Sequence, residues 1–470
     1  MSKIPAFRRR ADVSAAPDKI CSAFSVLSGA FFVEVKMDLL NGKIKNIYFK
    51  YFTAAFGSAF IMSIYGIVDM AMVGQYHGPD GSAAMAVIAP IWNIIFSLGL
   101  LTGIGGSVLF GAARGRGDDG NEHFTTALIL TTVLSIISWV GIIVFEEQLL
   151  YFFGADEKVL LPLAKKYLTT VKFVIPVFMF SQFLSAFLRN DNDPGRATKA
   201  VLAGGIFNVF GDYFCVFTLD MGITGAGLAT AMGTTVSLIY MLFHFRKGKN
   251  TLKLNMPTNF WLNSKLVVTN GFSTFFADIA MGLLTIMFNR QIMEHLGPDA
   301  LSVYGVIVNI STFVQCCGYS IGEGAQPIIS MNFGAGKRKR IGETLKYAVL
   351  TAAVFGIIWT ALMLLIPNTI VHIFMKPTTE VLNIAPKILG FYGLSFLLLP
   401  YNIFSTFYFQ SVMKPALAFA VSVSRGLVVS GAMIYLLPAV FVPDAIWFSM
   451  LITEIVCALF VTYQIRKTSK

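Results

Sequence analysis

Two stretches decide the reading of this chain. His77-Gly78-Pro79-Asp80 is followed by Val87-Ile88-Ala89-Pro90-Ile91, and Leu296-Gly297-Pro298-Asp299 by Val306-Ile307-Val308-Asn309-Ile310. Gly78 and Gly297 stand 219 positions apart, as do Gly115-Arg116-Gly117 and Gly334-Ala335-Gly336. The spacing widens to 221 at Phe153-Gly154 against Phe374-Met375 and at Asp193-Pro194 against Lys414-Pro415. Between these anchors run apolar segments, so six hydrophobic spans are written twice. Two homologous membrane halves facing each other are how many secondary transporters build a central site that can open to either side.

Composition supports a membrane solvent. Of 470 residues 56% are hydrophobic and only 13% charged, with a mean hydropathy of +0.70. A soluble domain could not hide that much apolar surface. The polar positions cluster and leave runs near the ~20 residues that cross a bilayer as helix. Spans are predicted near 50–73, 84–112, 123–145, 166–188, 197–217 and 222–244, then 267–292, 302–330, 342–366, 387–411, 416–438 and 445–465. The runs are too long, and too little alternating, for an outer-membrane barrel. The expected fold is all-α, about twelve transmembrane helices in two pseudo-symmetric six-helix lobes. The domains are a cytoplasmic tail over 1–44, an N-lobe over 45–246, a cytoplasmic linker over 247–265 and a C-lobe over 266–470. Met37 offers an alternative start.

The net charge of +11 is not a nucleic-acid footprint, because it is distributed by loop. Basic residues gather at every second connection: Lys43 and Lys45, Arg114 and Arg116, Arg189 and Arg196, Arg246 to Lys253, Lys337 to Arg340, Lys414, and Arg466 to Lys470. The loops around Gly78, Asp220, Gly297 and Pro443 carry almost none, with Lys158, Lys165, Lys166, Lys376 and Lys387 as exceptions. This alternation follows the positive-inside rule and predicts that both termini are cytoplasmic. Cys215, Cys316, Cys317 and Cys457 fall in apolar spans without zinc or disulfide spacing and read as packing residues.

An ionisable side chain inside a spanning helix costs roughly 2.5–3.5 kcal/mol on insertion scales, so it is usually kept for function. Asp69 and Asp212 are the clearest cases, and Asn208 lies four residues before Asp212 on the same helix face. At 1.5 Å per residue, Asp69 and Asp212 lie about 9 Å from their span ends and Thr230 about 9–12 Å. Asp69, Asn208, Asp212 and Thr230 are therefore expected at one level of the N-lobe. Two carboxylates, an amide and a hydroxyl suit a sodium ion or a shared proton. The bland alternative is that each aspartate is separately hydrogen-bonded or wet at a helix end. The repeat favours function, since Phe288 and Met433 stand at the equivalent positions of the second half. Asp278 and Glu323 are second-lobe candidates for coupling or substrate contact, with a structural reading equally open. Five scattered histidines give no metal cluster, and no cofactor is expected.

At this point several motifs converge. Val68-Asp69-Met70-Ala71-Met72-Val73-Gly74, the Asn208–Asp212 stretch, Gly225-Ala226-Gly227-Leu228-Ala229-Thr230 and Gly324-Ala325-Gln326-Pro327-Ile328-Ile329-Ser330 stand with Asn332-Phe333-Gly334-Ala335-Gly336 in the twofold repeat. Together they resemble the multidrug and toxic compound extrusion (MATE) family from about Lys45 to Lys467. The resemblance implies export of drugs and other small organic cations in exchange for protons or sodium. It also implies that Asp69, Asn208, Asp212 and Thr230 form the N-lobe cation site. Two features depart from the family: the first span lacks the proline at which many members bend, and the tenth lacks a carboxylate. The expected protein is a multi-pass efflux antiporter of the inner (plasma) membrane, working in the lipid bilayer as a monomer, with no nucleic-acid partner and no enzymatic step. A flippase for lipid-linked or isoprenoid-linked substrates of the same superfamily is the alternative; a more cationic cavity would distinguish it.

Overall fold

The computed structural model describes residues 38–469 apart from Lys247, Lys249 and Lys376; most of the expected N-terminal tail, and the alternative start at Met37, lie outside them. Twelve helices among the described residues are long and apolar enough to cross a membrane. In the first half they are α1 (Ile44–His77), α2 (Pro79–Arg116), α3 (Asn121–Val144), α4 (Leu160–Asn190), α5 (Pro194–Thr218) and α6 (Ile223–Arg246). In the second they are α7 (Phe260–His295), α8 (Gly297–Gly334), α9 (Arg338–Leu365), α10 (Thr379–Ser411), α11 (Pro415–Val440) and α12 (Pro443–Thr468). A short helix separates the third and fourth in each half, Glu146–Phe152 and Pro367–Phe374. α4 and α10 each break into 3₁₀ geometry, at Lys172–Val174 and Leu394–Leu397, just before Pro176 and Pro400. Proline lacks an N–H and cannot continue the ladder, so the break falls before it in both copies.

The helices outrun the apolar spans. α2 and α8 have 38 residues each, about 57 Å at 1.5 Å per residue, against a hydrocarbon core of about 30 Å. Their polar ends stay helical outside the apolar layer, where hydropathy cannot see them. α7 likewise starts at Phe260, inside the stretch read as linker, because the Asn259 side chain accepts from the Leu262 N–H at 3.0 Å and caps it.

The first helix of each half crosses to the other. Ile44, Tyr48, Tyr51 and Phe52 of α1 pack in one core with Ile321, Ile328 and Phe404 of the second half. Val267 of α7 packs among Leu109, Phe183 and Leu188 of the first. Between α2 and α8 the approach is close enough to require glycine. A Cβ on Gly115 would lie 2.0 Å from the Met331 carbonyl oxygen, and one on Gly334 would lie 1.9 Å from that of Ala112. Under the 219-residue repeat Gly115 maps to Gly334 and Ala112 to Met331, so a local twofold axis passes through this seam.

The same helix faces do something different at their other ends. Gly115 and Ala86 are 29 residues apart, as are Gly334 and Gly305, which is about eight turns and returns to one face. Ala86 and Asn93 on α2, and Gly305, Asn309 and Thr312 on α8, are exposed along that face. The lobes are thus sealed at the end carrying Arg116 and Lys337, and a cleft opens between them toward the end carrying Gly78 and Gly297.

Candidate functional site

α5 and α6 meet through Gly204 and Gly233, where a Cβ on either would lie 2.5–2.6 Å from the other's carbonyl oxygen. That approach carries Asn208 and Thr230 into contact: the Asn208 amide donates to Thr230 Oγ1 at 3.2 Å. Thr230 in turn donates to Asp69 Oδ2 on α1 at 3.4 Å, and the Tyr167 hydroxyl of α4 donates to the same oxygen at 3.2 Å. Asp69, Tyr167, Asn208, Asp212 and Thr230 are all buried. Asp212 lies within electrostatic range of Asp69, yet neither of its carboxylate oxygens has a hydrogen-bond partner. Asp69 Oδ1 and Asn208 Oδ1 are also unpartnered. Leaving a buried acceptor unmatched costs about 1–3 kcal/mol, more for a charge. Four such hard oxygens in one lobe are a donor set that fits a small cation or a proton. A cavity of about 40 Å³, lined among others by Tyr65, Gln182, Asn208 and Thr230, reaches the cluster from within the lobe; that is room for a few water-sized groups.

The structure therefore brings together the four N-lobe residues singled out by depth, three through hydrogen bonds and Asp212 by proximity. Tyr167 is absent from the sequence reading, which took Lys165 and Lys166 just before it as loop charges. Its signal was Gly227 of α6, whose missing side chain admits the Tyr167 carbonyl and the Thr170 hydroxyl.

Asp278 and Glu323 occupy different positions from the N-lobe pocket. Asp278 Oδ1 accepts from Tyr319 at 2.5 Å, and its Oδ2 from Ser97 of α2 at 3.0 Å. One carboxylate thus links the two lobes near the inner end of the cleft. Glu323 Oε2 pairs with Arg189 Nη1 of α4 at 2.8 Å, a second link across the lobes. Beside it the Asn190 amide donates to Gln326 at 3.3 Å. Arg189 had counted as a loop charge in the sequence; it is buried in this seam. Arg425 and Glu454 neutralise one another at 2.7 Å inside the C-lobe, where Asn402 also donates to Glu454 at 2.6 Å. The tenth-span aromatics Phe396, Phe404, Phe407, Tyr408 and Phe409 are buried in the core, so they pack and do not wall the cleft.

Two six-helix lobes around a cleft, with unpaired acids buried in one lobe, define a polytopic membrane transporter. The MatE family model matches residues 54–214 and 273–436, once in each half, and the chain belongs to that family. It is 24% identical over 416 residues to the multidrug export protein MepA of Staphylococcus haemolyticus, covering 86% of this chain and 90% of that protein. Among solved structures it overlays, at a TM-score of 0.85 and 17% identity, on the outward-facing conformation of a multidrug resistance MATE family transporter of the MOP superfamily, covering 93% of this chain and 99% of that one. A MATE in the straight conformation matches at 0.86, with 17% identity and 93% and 98% covered. These structural likenesses speak to the fold.

Proposed function

We propose that this chain is a secondary active multidrug efflux antiporter, exporting small amphipathic organic cations in exchange for protons or sodium by alternating access. The observation that carries the reading is the set of unpartnered buried oxygens on Asp69, Asn208 and Asp212. A cation arriving from the cleft side satisfies them and removes the repulsion between the two carboxylates. The two lobes, joined by the segment that runs from Arg246 into α7 at Phe260, then rock within one monomer so that the glycine seam parts as the cleft closes. With the basic end cytoplasmic, the sealed seam is the inner gate and the cleft opens outward. A membrane potential of 100 mV supplies about 2.3 kcal/mol per charge, enough to drive the cycle. Asp278 and Glu323, which span the lobes, act in this reading as second-lobe coupling or substrate contacts.

Dye efflux from proteoliposomes, with proton and sodium gradients imposed separately, tests the proposal. Transport driven by one gradient and abolished by Asp69→Asn and by Asp212→Asn is the expected result. Driven transport that survives in both variants moves coupling away from the N-lobe. No dye movement under any gradient replaces the drug reading with a flippase reading.

A further inference from the structure

The linker between the lobes is an extended strap fastened to the first lobe by alternate residues. The Lys253 N–H donates to Asn121 Oδ1 at 3.0 Å and the Asn255 N–H to Thr125 Oγ1 at 2.9 Å. Further along, the Thr258 N–H donates to Glu122 Oε2 at 3.2 Å. Leu252 is buried in the lobe, whereas Leu254 and Met256 are 71% and 80% exposed.

Beneath the strap lies a groove of about 480 Å³ between α3, α4 and α6. Phe124, Leu128, Phe180, Leu238, Leu242 and Leu254 are among its lining residues, all of which are apolar. Ile239 and Leu242, on the outer face of α6 beside it, are 50% and 47% exposed. On a spanning helix that exposure faces lipid, so the natural occupant is an acyl chain. Two exposed basic residues adjoin lining positions of the groove along the chain: Arg246 follows Phe245, and Lys253 stands between Leu252 and Leu254. Lys253 also shares a neighbouring pocket with Asp118 and Asp119; Asp118 pairs with Arg116, and Asp119 and Glu122 accept from Asn255 and Thr258 while keeping their charge.

We propose that this groove is a binding site for an anionic phospholipid, with an acyl chain under the strap and the headgroup at Arg246 and Lys253. Within a bilayer one acyl chain exchanges for another without a hydrophobic driving force. The groove therefore supplies shape, and the two basic residues supply selectivity. Each Lys or Arg near an anionic headgroup is worth about fivefold in occupancy. The site also makes a lipid the outer wall of the segment that joins the two lobes, and it does not depend on what the protein transports.

Native mass spectrometry of the full chain in detergent, with equal phosphatidylglycerol and phosphatidylcholine added, tests the site. Phosphatidylglycerol adducts should predominate on the unaltered protein. The double variant Arg246→Gln/Lys253→Gln should lower that preference by at least about tenfold, given two charges removed, while still binding lipid. The double variant Leu128→Trp/Leu238→Trp, which narrows the groove from two sides, should lower the occupancy of both lipids, with Leu238→Trp alone as the substitute if it fails to elute as a folded species. Equal binding of the two lipids, or a preference that survives the double variant, overturns the headgroup assignment. Undiminished lipid occupancy in the folded narrowed variant overturns the acyl-chain placement.

Discussion

Adding a single methyl group at Gly115 should shift the whole transporter away from its sealed form. Its Cβ would lie 2.0 Å from the Met331 carbonyl oxygen, whereas ordinary contact begins at 3.4 Å, so the seam must open by about 1.4 Å. The opposing atom is backbone, so no rotamer change can relieve it. Overpacking of this kind costs about 1–3 kcal/mol, and each 1.4 kcal/mol is a factor of about ten. The sealed population should therefore fall by about five- to 150-fold relative to a state in which α2 and α8 have parted. Alanine's better helix propensity, about 1 kcal/mol, favours both states alike and cancels. Distances between spin labels at the exposed positions Asp118 and Lys339, read by double electron–electron resonance, should gain a longer component in Gly115→Ala and in Gly334→Ala. Dye efflux should slow in parallel. Gly305→Ala is the control, because its Cβ meets open space. Unchanged distances in the two seam variants, or the same lengthening in the control, would refute the reasoning.

Two further outcomes follow from charges near the sealed end. Removing one partner of the buried Arg189–Glu323 pair leaves the other uncompensated, at about 3–5 kcal/mol. Arg189→Met and Glu323→Gln should each lower the melting temperature more than the double variant does; additive losses would show that the pair is not coupled. Asp193, outside the spans, gives a pH signature. Burial pushes its carboxyl up, but hydrogen bonding and charge from His244, with Arg196, outweigh burial and hold it below 3.8. A depressed carboxyl contributes stability that is complete above its ordinary value and is lost as pH falls through the folded one. The melting-temperature gap between the unaltered protein and Asp193→Asn should thus narrow below about pH 4, as the carboxylate takes up its proton. A gap that persists unchanged into strong acid would assign Asp193 no such role.

Much of this architecture could be read from the chain because membrane helices announce themselves locally. The repeat at Gly78 and Gly297 identified two halves, and apolar runs located all twelve helices. Depth counting from span ends was enough to set Asp69, Asn208, Asp212 and Thr230 at one level. Partnerships were harder to read. Tyr167, Ser97 and Arg189 make contacts with residues 98 to 181 positions away, and nothing in their neighbourhoods specifies which helix they will face. Helix ends were misjudged for another reason: hydropathy measures solvent preference, whereas the end of a helix is set by caps such as Asn259. The glycines were legible as small residues, but their pairing across Gly115 and Gly334 emerges only when two helices are set side by side.

The stripe on α2 and α8 that seals at one end and borders the cleft at the other also sets a rule for what this sequence can tolerate. Between Ala86 and Gly115 many side chains could be exchanged for others of similar size. One residue inserted or deleted there would rotate the two ends by about 100° relative to each other, turning either the seam or the cleft wall toward lipid. The count of 29 residues between the paired positions is thus more constrained than their identities. Variation in these two helices should therefore come as substitution, while changes of length are confined to the loops.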